Sequence, residues 1–197
     1  WDEFKNATAK LAKYLKDIGI KSGDRVCCML PNTPESVISF LAVNSIGAIW
    51  SSCSPDFGTK SIVERFQQIE PKVFITTNAY NYNGKTFEKH NAVKDITKAL
   101  LTLEKIISVN YITNSNKIEG DNTITWETIQ SKPNVKLNFE RVPFSHPIWV
   151  LYSSGTTGKP KAITHSSGGI IIEHYKALGL HQNIKPGERF FWYSTAG

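Results

Sequence analysis

Tyr152-Ser153-Ser154-Gly155-Thr156-Thr157-Gly158-Lys159-Pro160-Lys161 is the stretch on which the reading of this chain turns. Hydroxyl residues and glycines fill positions 153–158 without interruption, and two lysines around a proline follow. Gly155 and Gly158 can take positive φ and let a bulky anion come close to the backbone. In such turns successive N–H groups converge on a concavity that favours negative charge. Ser153, Ser154, Thr156 and Thr157 add hydroxyl donors, and Lys161 adds a full positive charge. Each charge-assisted hydrogen bond of this kind contributes about 1.5–3 kcal/mol. The stretch therefore reads as a loop that holds the polyphosphate of a nucleoside triphosphate.

Six of its positions (Ser154, Gly155, Thr157, Gly158, Pro160, Lys161) would each arise by chance about 6% of the time, or jointly on the order of 10⁻⁸. The alternative is a polar surface turn between two strands. A Walker-type loop is excluded, because it needs four residues between its glycines and then Gly-Lys-Ser/Thr opening a helix. Here only Thr156 and Thr157 separate the glycines, and Pro160 pushes Lys159 away from helical geometry. Ile148–Tyr152 and Ala162–His165 read as short strands on either side, so the loop joins strand to strand.

Working outward, Phe4, Ala7, Leu11, Tyr14, Leu15 and Ile18 recur at helical spacing, and Gly19 ends that helix. A strand over Val26–Leu30, a helix opened by Pro34-Glu35, a strand over Ala48–Ser52, a helix over Thr59–Ile69 and a strand over Val73–Thr76 follow in turn. Residues 78–85 read as a loop, Asp95–Leu103 as a helix and Ile106–Ile112 as a strand. Asn114–Asn122 is polar, Ser131–Phe144 has no clear period, and Phe190–Ser194 reads as a strand. Strands alternating with helices at this spacing predict an α/β fold with a largely parallel sheet flanked by helices. Ligands of such sheets bind at the carboxyl ends of strands, which is where the loop leaves Tyr152.

The decamer resembles the phosphate-binding loop of the adenylate-forming enzymes, the superfamily of acyl-CoA synthetases and luciferases. Asp24-Arg25-Val26, Leu30-Pro31-Asn32-Thr33-Pro34-Glu35 and Ile46-Gly47-Ala48 resemble the opening elements of such domains. The run from Gly47 to Gly58 and that from Gly168 to His181 are similar to the branch that activates acetoacetate. The resemblance implies ATP-dependent ligation of acetoacetate to coenzyme A through an acyl-adenylate, with ATP, Mg²⁺ and coenzyme A required. It implies that Ser153, Ser154, Gly155, Thr156, Thr157, Gly158 and Lys161 cradle the phosphates, with Lys161 in the catalytic role. Arg65 lies in a region that resembles the surroundings of the CoA nucleotide; its planar fork suits a phosphate, and a salt bridge with Glu64 or Glu70 is the plainer alternative. The resemblance further implies that the acyl pocket, the magnesium and ribose acids and a C-terminal catalytic lysine lie past Gly197. Residues 1–197 would then be part of a large N-terminal AMP-binding domain, inactive alone, without its C-terminal domain. Another adenylate-forming enzyme using a fatty acid or amino acid, and a non-catalytic nucleotide-binding fragment, stay open as alternatives.

Composition agrees with one ordinary core: 197 residues, 40% hydrophobic and 20% charged. The chain opens on Trp1 and its one methionine is Met29, which reads as a partial sequence. No apolar run reaches the eighteen or so residues of a membrane span. Net charge is +6, yet only four of the 23 basic residues are arginine (25, 65, 141 and 189), and the lysines are scattered. That pattern argues against nucleic acid as a partner, where basic residues cluster with aromatics. Cys27, Cys28 and Cys53 have no zinc-type spacing and read as buried thiols in the cytoplasm. Adjacent in a strand, Cys27 and Cys28 should face opposite ways. The five histidines form no metal or nucleophile pattern, and no Gly-x-Ser-x-Gly occurs.

Overall fold

A computed structural model of the chain describes residues 1–153, 158–192 and 194. It begins α1 (Asp2–Asp17), β1 (Arg25–Met29), α2 (Pro34–Ser45), β2 (Ile49–Ser52), α3 (Thr59–Phe66) and β3 (Val73–Thr77). There follow β4 (Ala79–Tyr82), β5 (Lys85–Glu88), α4 (His90–Ala99), β6 (Lys105–Val109), β7 (Thr123–Thr125) and α5 (Trp126–Gln130). The last elements are β8 (Pro147–Ser153), β9 (Lys161–Ser166), α6 (Ser167–Tyr175) and a π-helical segment, Lys176–His181.

Seven strands form one sheet in the order β7-β6-β3-β1-β2-β8-β9. All neighbours run parallel except β8 and β9, which are antiparallel at one edge. This is the expected α/β fold, and the period of two along each strand explains its two cores. Val26 and Cys28 of β1, with Val73 and Ile75 of β3, face α1, α2 and α5 through Leu11, Leu15, Ile38, Val43 and Ile129. Cys27, Met29 and Phe74 face the other way, onto Ile62 and Phe66 of α3 and Val93 and Ile96 of α4. The adjacent cysteines thus point to opposite faces. Trp50 lies in the first core with its ring edge-on to Phe40, and its Nε1 donates to Ser52 Oγ at 3.2 Å.

Several sequence expectations are corrected. Residues 78–85 are mostly not a loop: β4 and β5 pair antiparallel, with Tyr82 opposite Lys85. The turn between them is Asn83-Gly84, at φ of 47° and 72°, the left-handed pair that a two-residue hairpin needs. The fourth helix runs from His90 to Ala99, ahead of its expected place, because Leu100 leaves helical geometry at ψ 84°. β7 and α5 had no expected counterpart. Residues 190–192 and 194 form no strand.

Candidate phosphate-binding site

The loop is carried between β8 and β9. Their register runs from Trp149 opposite His165 to Ser153 opposite Lys161, so the last residue before the loop and the first after Pro160 are cross-strand partners. β8 is held to the parallel body by its pairing with β2 at Trp50 and Trp149, and by Ser51 Oγ, which donates to Val150 O at 2.8 Å. Ser153 and Lys161 are therefore set at the mouth of the loop by the sheet. Ser154, Gly155, Thr156 and Thr157 lie outside the described residues. Gly158 has φ +115°, a conformation that a side chain would strain, and among the described residues nothing lies within 4 Å of where its Cβ would be. Lys161 is exposed, and among the described residues its ammonium has no ion pair within 4 Å.

Helix α3 flanks this mouth. An open cleft of about 670 Å³ is lined by Gly58, Lys60, Ser61 and Glu64 on the helix side and by Gly158 and Lys159 on the loop side. Lys60 and Glu64 stand 3.9 Å apart across one helical turn. Arg65 is brought to the first stem of the loop: its guanidinium carbon is 4.9 Å from the Phe57 ring centre and 5.9 Å from that of Tyr152. Its Nη1 donates to Ser61 O at 2.8 Å and contacts Ser61 Oγ. Among the described residues no ion pair joins Arg65 to Glu64 or Glu70, so the plainer alternative is not what holds it. Burial pushes the Tyr152 hydroxyl well above the ordinary tyrosine range, leaving it a proton donor.

Two residues of this site carry no motif signal. Tyr152 stood in the decamer without a role, and Gln68 was a helix residue like any other. The Tyr152 hydroxyl donates to Arg65 O at 2.7 Å, and Gln68 Nε2 donates to Pro160 O at 3.0 Å. Two of the histidines lie against Trp149: its Nε1 donates to His165 Nδ1 at 2.6 Å, and the His174 ring centre lies 6.2 Å from that of Trp149. Among the described residues no three His, Cys, Asp or Glu side chains are grouped to hold a metal. These residues thus fit an anionic ligand and give no cage for Mg²⁺.

Three comparisons bear on the arrangement. All of residues 1–197 match the family described as AMP-binding enzyme. The acetoacetyl-coenzyme A synthetase of Rhizobium meliloti (strain 1021) is 42% identical over 201 residues, covering all of this chain and 30% of that protein. The acetoacetyl-CoA synthetase of Macaca fascicularis is 38% identical over 206 residues, with the same coverage. The structure of acetoacetyl-CoA synthetase from Streptomyces lividans superposes with a TM-score of 0.93 at 45% identity, over 99% of this chain and 30% of that one. The chain spans about 30% of the length of the relatives it matches.

Proposed function

This chain belongs to the AMP-binding enzyme family, and from that premise we propose that the whole enzyme ligates acetoacetate to coenzyme A at the expense of ATP. A carboxylate oxygen of acetoacetate attacks the α-phosphorus, the bond to the β-phosphate breaks, and pyrophosphate leaves. The CoA sulfur then attacks the acyl carbonyl, and AMP departs. Residues 1–197 supply part of the large N-terminal AMP-binding domain in this reading. The observation that carries it is the pairing of Ser153 with Lys161, which brackets the glycine-containing segment 154–160 at the carboxyl end of a strand.

The physical difficulty of adenylation is charge, because one anion must approach another and a third must leave. Donors fixed in advance around the departing phosphates stabilise the developing charge without reorganising. An ammonium about 4 Å from a phosphate oxygen supplies about 4 kcal/mol of attraction at an effective dielectric of 20, before desolvation. That role falls to Lys161, with Ser153, Ser154, Gly155, Thr156, Thr157 and Gly158 as the cradle. Arg65 is assigned to the CoA side, supported by its place beside the loop's first stem. Magnesium bound to ATP adds charge neutralisation; the described residues offer it no site, and no step here depends on one.

A reducing, cytoplasmic location belongs to the same reading. Cys27, Cys28 and Cys53 are free and buried, and burial pushes all three thiols up, Cys53 to about 12. No described helix is long and apolar enough to cross a membrane.

Acetoacetate-dependent exchange of pyrophosphate into ATP by the full-length enzyme tests the proposal. Lys161→Ala should lower that exchange by about 10²-fold or more, the scale of losing one preorganised donor. Unchanged exchange would remove Lys161 from the mechanism. A faster exchange with a fatty or amino acid than with acetoacetate would overturn the substrate assignment.

A further inference from the structure

The end of α3 and the turn that follows it touch both stems of the loop through two hydrogen bonds that join residues 87 and 92 positions apart. At the entry stem, the Tyr152 hydroxyl donates to the carbonyl of Arg65, which also accepts the Gln68 N–H at 3.1 Å. Carbonyls of a helix's final turn lack helical partners and are open to such donors. At the exit stem, Gln68 Nε2 donates to the last-turn carbonyl of Glu64 at 2.8 Å and to Pro160 O at 3.0 Å. The Pro160 carbonyl belongs to the same rigid peptide plane as the Lys161 N–H. Proline's own φ is fixed by its ring, so a held carbonyl orients the chain where Lys161 begins.

We propose that Tyr152 and Gln68 are positioning residues that fasten the two stems of the loop to the end of α3 and the turn after it, setting how Ser153 and Lys161 face the triphosphate. The inference rests on the phosphate-cradle reading above. Neither residue touches the reacting atoms; both act through the geometry of their neighbours. Arg65 strengthens the entry contact, because its guanidinium lies against the Tyr152 ring while its carbonyl takes the hydroxyl.

The test is steady-state pyrophosphate exchange by the full-length enzyme carrying Tyr152→Phe, Gln68→Ala or each of these together with Lys161→Ala. Removing one neutral hydrogen bond should raise KM for ATP about fivefold in Tyr152→Phe and about threefold in Gln68→Ala, with KM for acetoacetate unchanged. On a Lys161→Ala background, Gln68→Ala should not raise KM for ATP further, because its effect passes through that lysine, whereas Tyr152→Phe, acting on the stem that carries Ser153, should keep its own effect. Both variants are mild: the phenyl ring stays in place in one, and Gln68 is exposed. Wild-type KM for ATP in either single variant, with exchange lost in Lys161→Ala, overturns the two-point fastening and leaves the cradle standing. Unchanged exchange in Lys161→Ala overturns both. A uniform fall in kcat and both affinities, with a lowered melting temperature, assigns the two residues to stability alone and likewise overturns the proposal.

Discussion

β3 and the β9–α6 region both carry large apolar side chains and end in opposite situations. Val73–Thr77 is buried along its whole length, because helices cover both faces of the sheet there. The first four residues of β9 are exposed, and no residue of α6 is buried, although Ile170, Ile171 and Ile172 follow one another in it. Ile172 is 59% exposed and Trp192 68%. Hydrophobicity therefore states what a segment would gain by burial, while its place among the layers decides whether it is buried. The candidate phosphate loop lies at the seam: its entry strand pairs with the closed part of the sheet, and its exit strand belongs to the open part.

Substitutions on the two sides of that seam can break or sharpen the contrast. The largest expected effect is at Phe74, fully buried with its ring 6.3 Å from that of Phe66. Phe74→Ala should cost about 3–5 kcal/mol in urea unfolding, as other aromatic truncations in closed cores do. A loss below about 1 kcal/mol would contradict a sheet covered on both faces. Gly47→Ala comes next, on the closed side. Gly47 has φ +72°, and a Cβ there would meet Ser22 Oγ at 2.6 Å, so about 1–3 kcal/mol is expected by the same measurement. An unchanged midpoint would mean that this turn has room to relax. The smallest effect is on the open side, where Ile172→Ser should move the stability of the 197-residue chain by about 0.5 kcal/mol at most. The same substitution costing several kcal/mol in the full-length enzyme would show that the face is covered there.

The contrast also marks how far the sequence could be read. The limits of β1 to β3 and of α1 to α3 came out within a few residues, since a strand buried on both faces is a short apolar run between turn residues. Both strands around the loop were legible from the turn residues that separate them, although neither is buried on both faces. The β4–β5 hairpin was missed although Asn83-Gly84 is the turn such hairpins favour, because polar neighbours hid the alternation. The fourth helix was misplaced because Leu101 and Leu103 extend its apolar spacing past the point where Leu100 ends it. At the candidate site, the glycines, hydroxyls and Lys161 are what residue type and spacing point to, whereas nothing in the sequence pointed to Gln68. A glutamine on a helix says nothing until the partner across the fold is known.

By itself the sequence determined the local chemistry: a run of hydroxyls, glycines and lysines ending in Lys161, between two strands of an α/β fold. These follow from residue type and spacing within about a dozen positions, the range over which backbone preferences and side-chain periodicity act. Only the tertiary structure decided that α3 would close on Tyr152 and Pro160, that Ser153 would stand opposite Lys161, and that β3 would be sealed while α6 would not. Those outcomes depend on contacts between residues far apart in the chain, and such contacts exist only after the layers have packed.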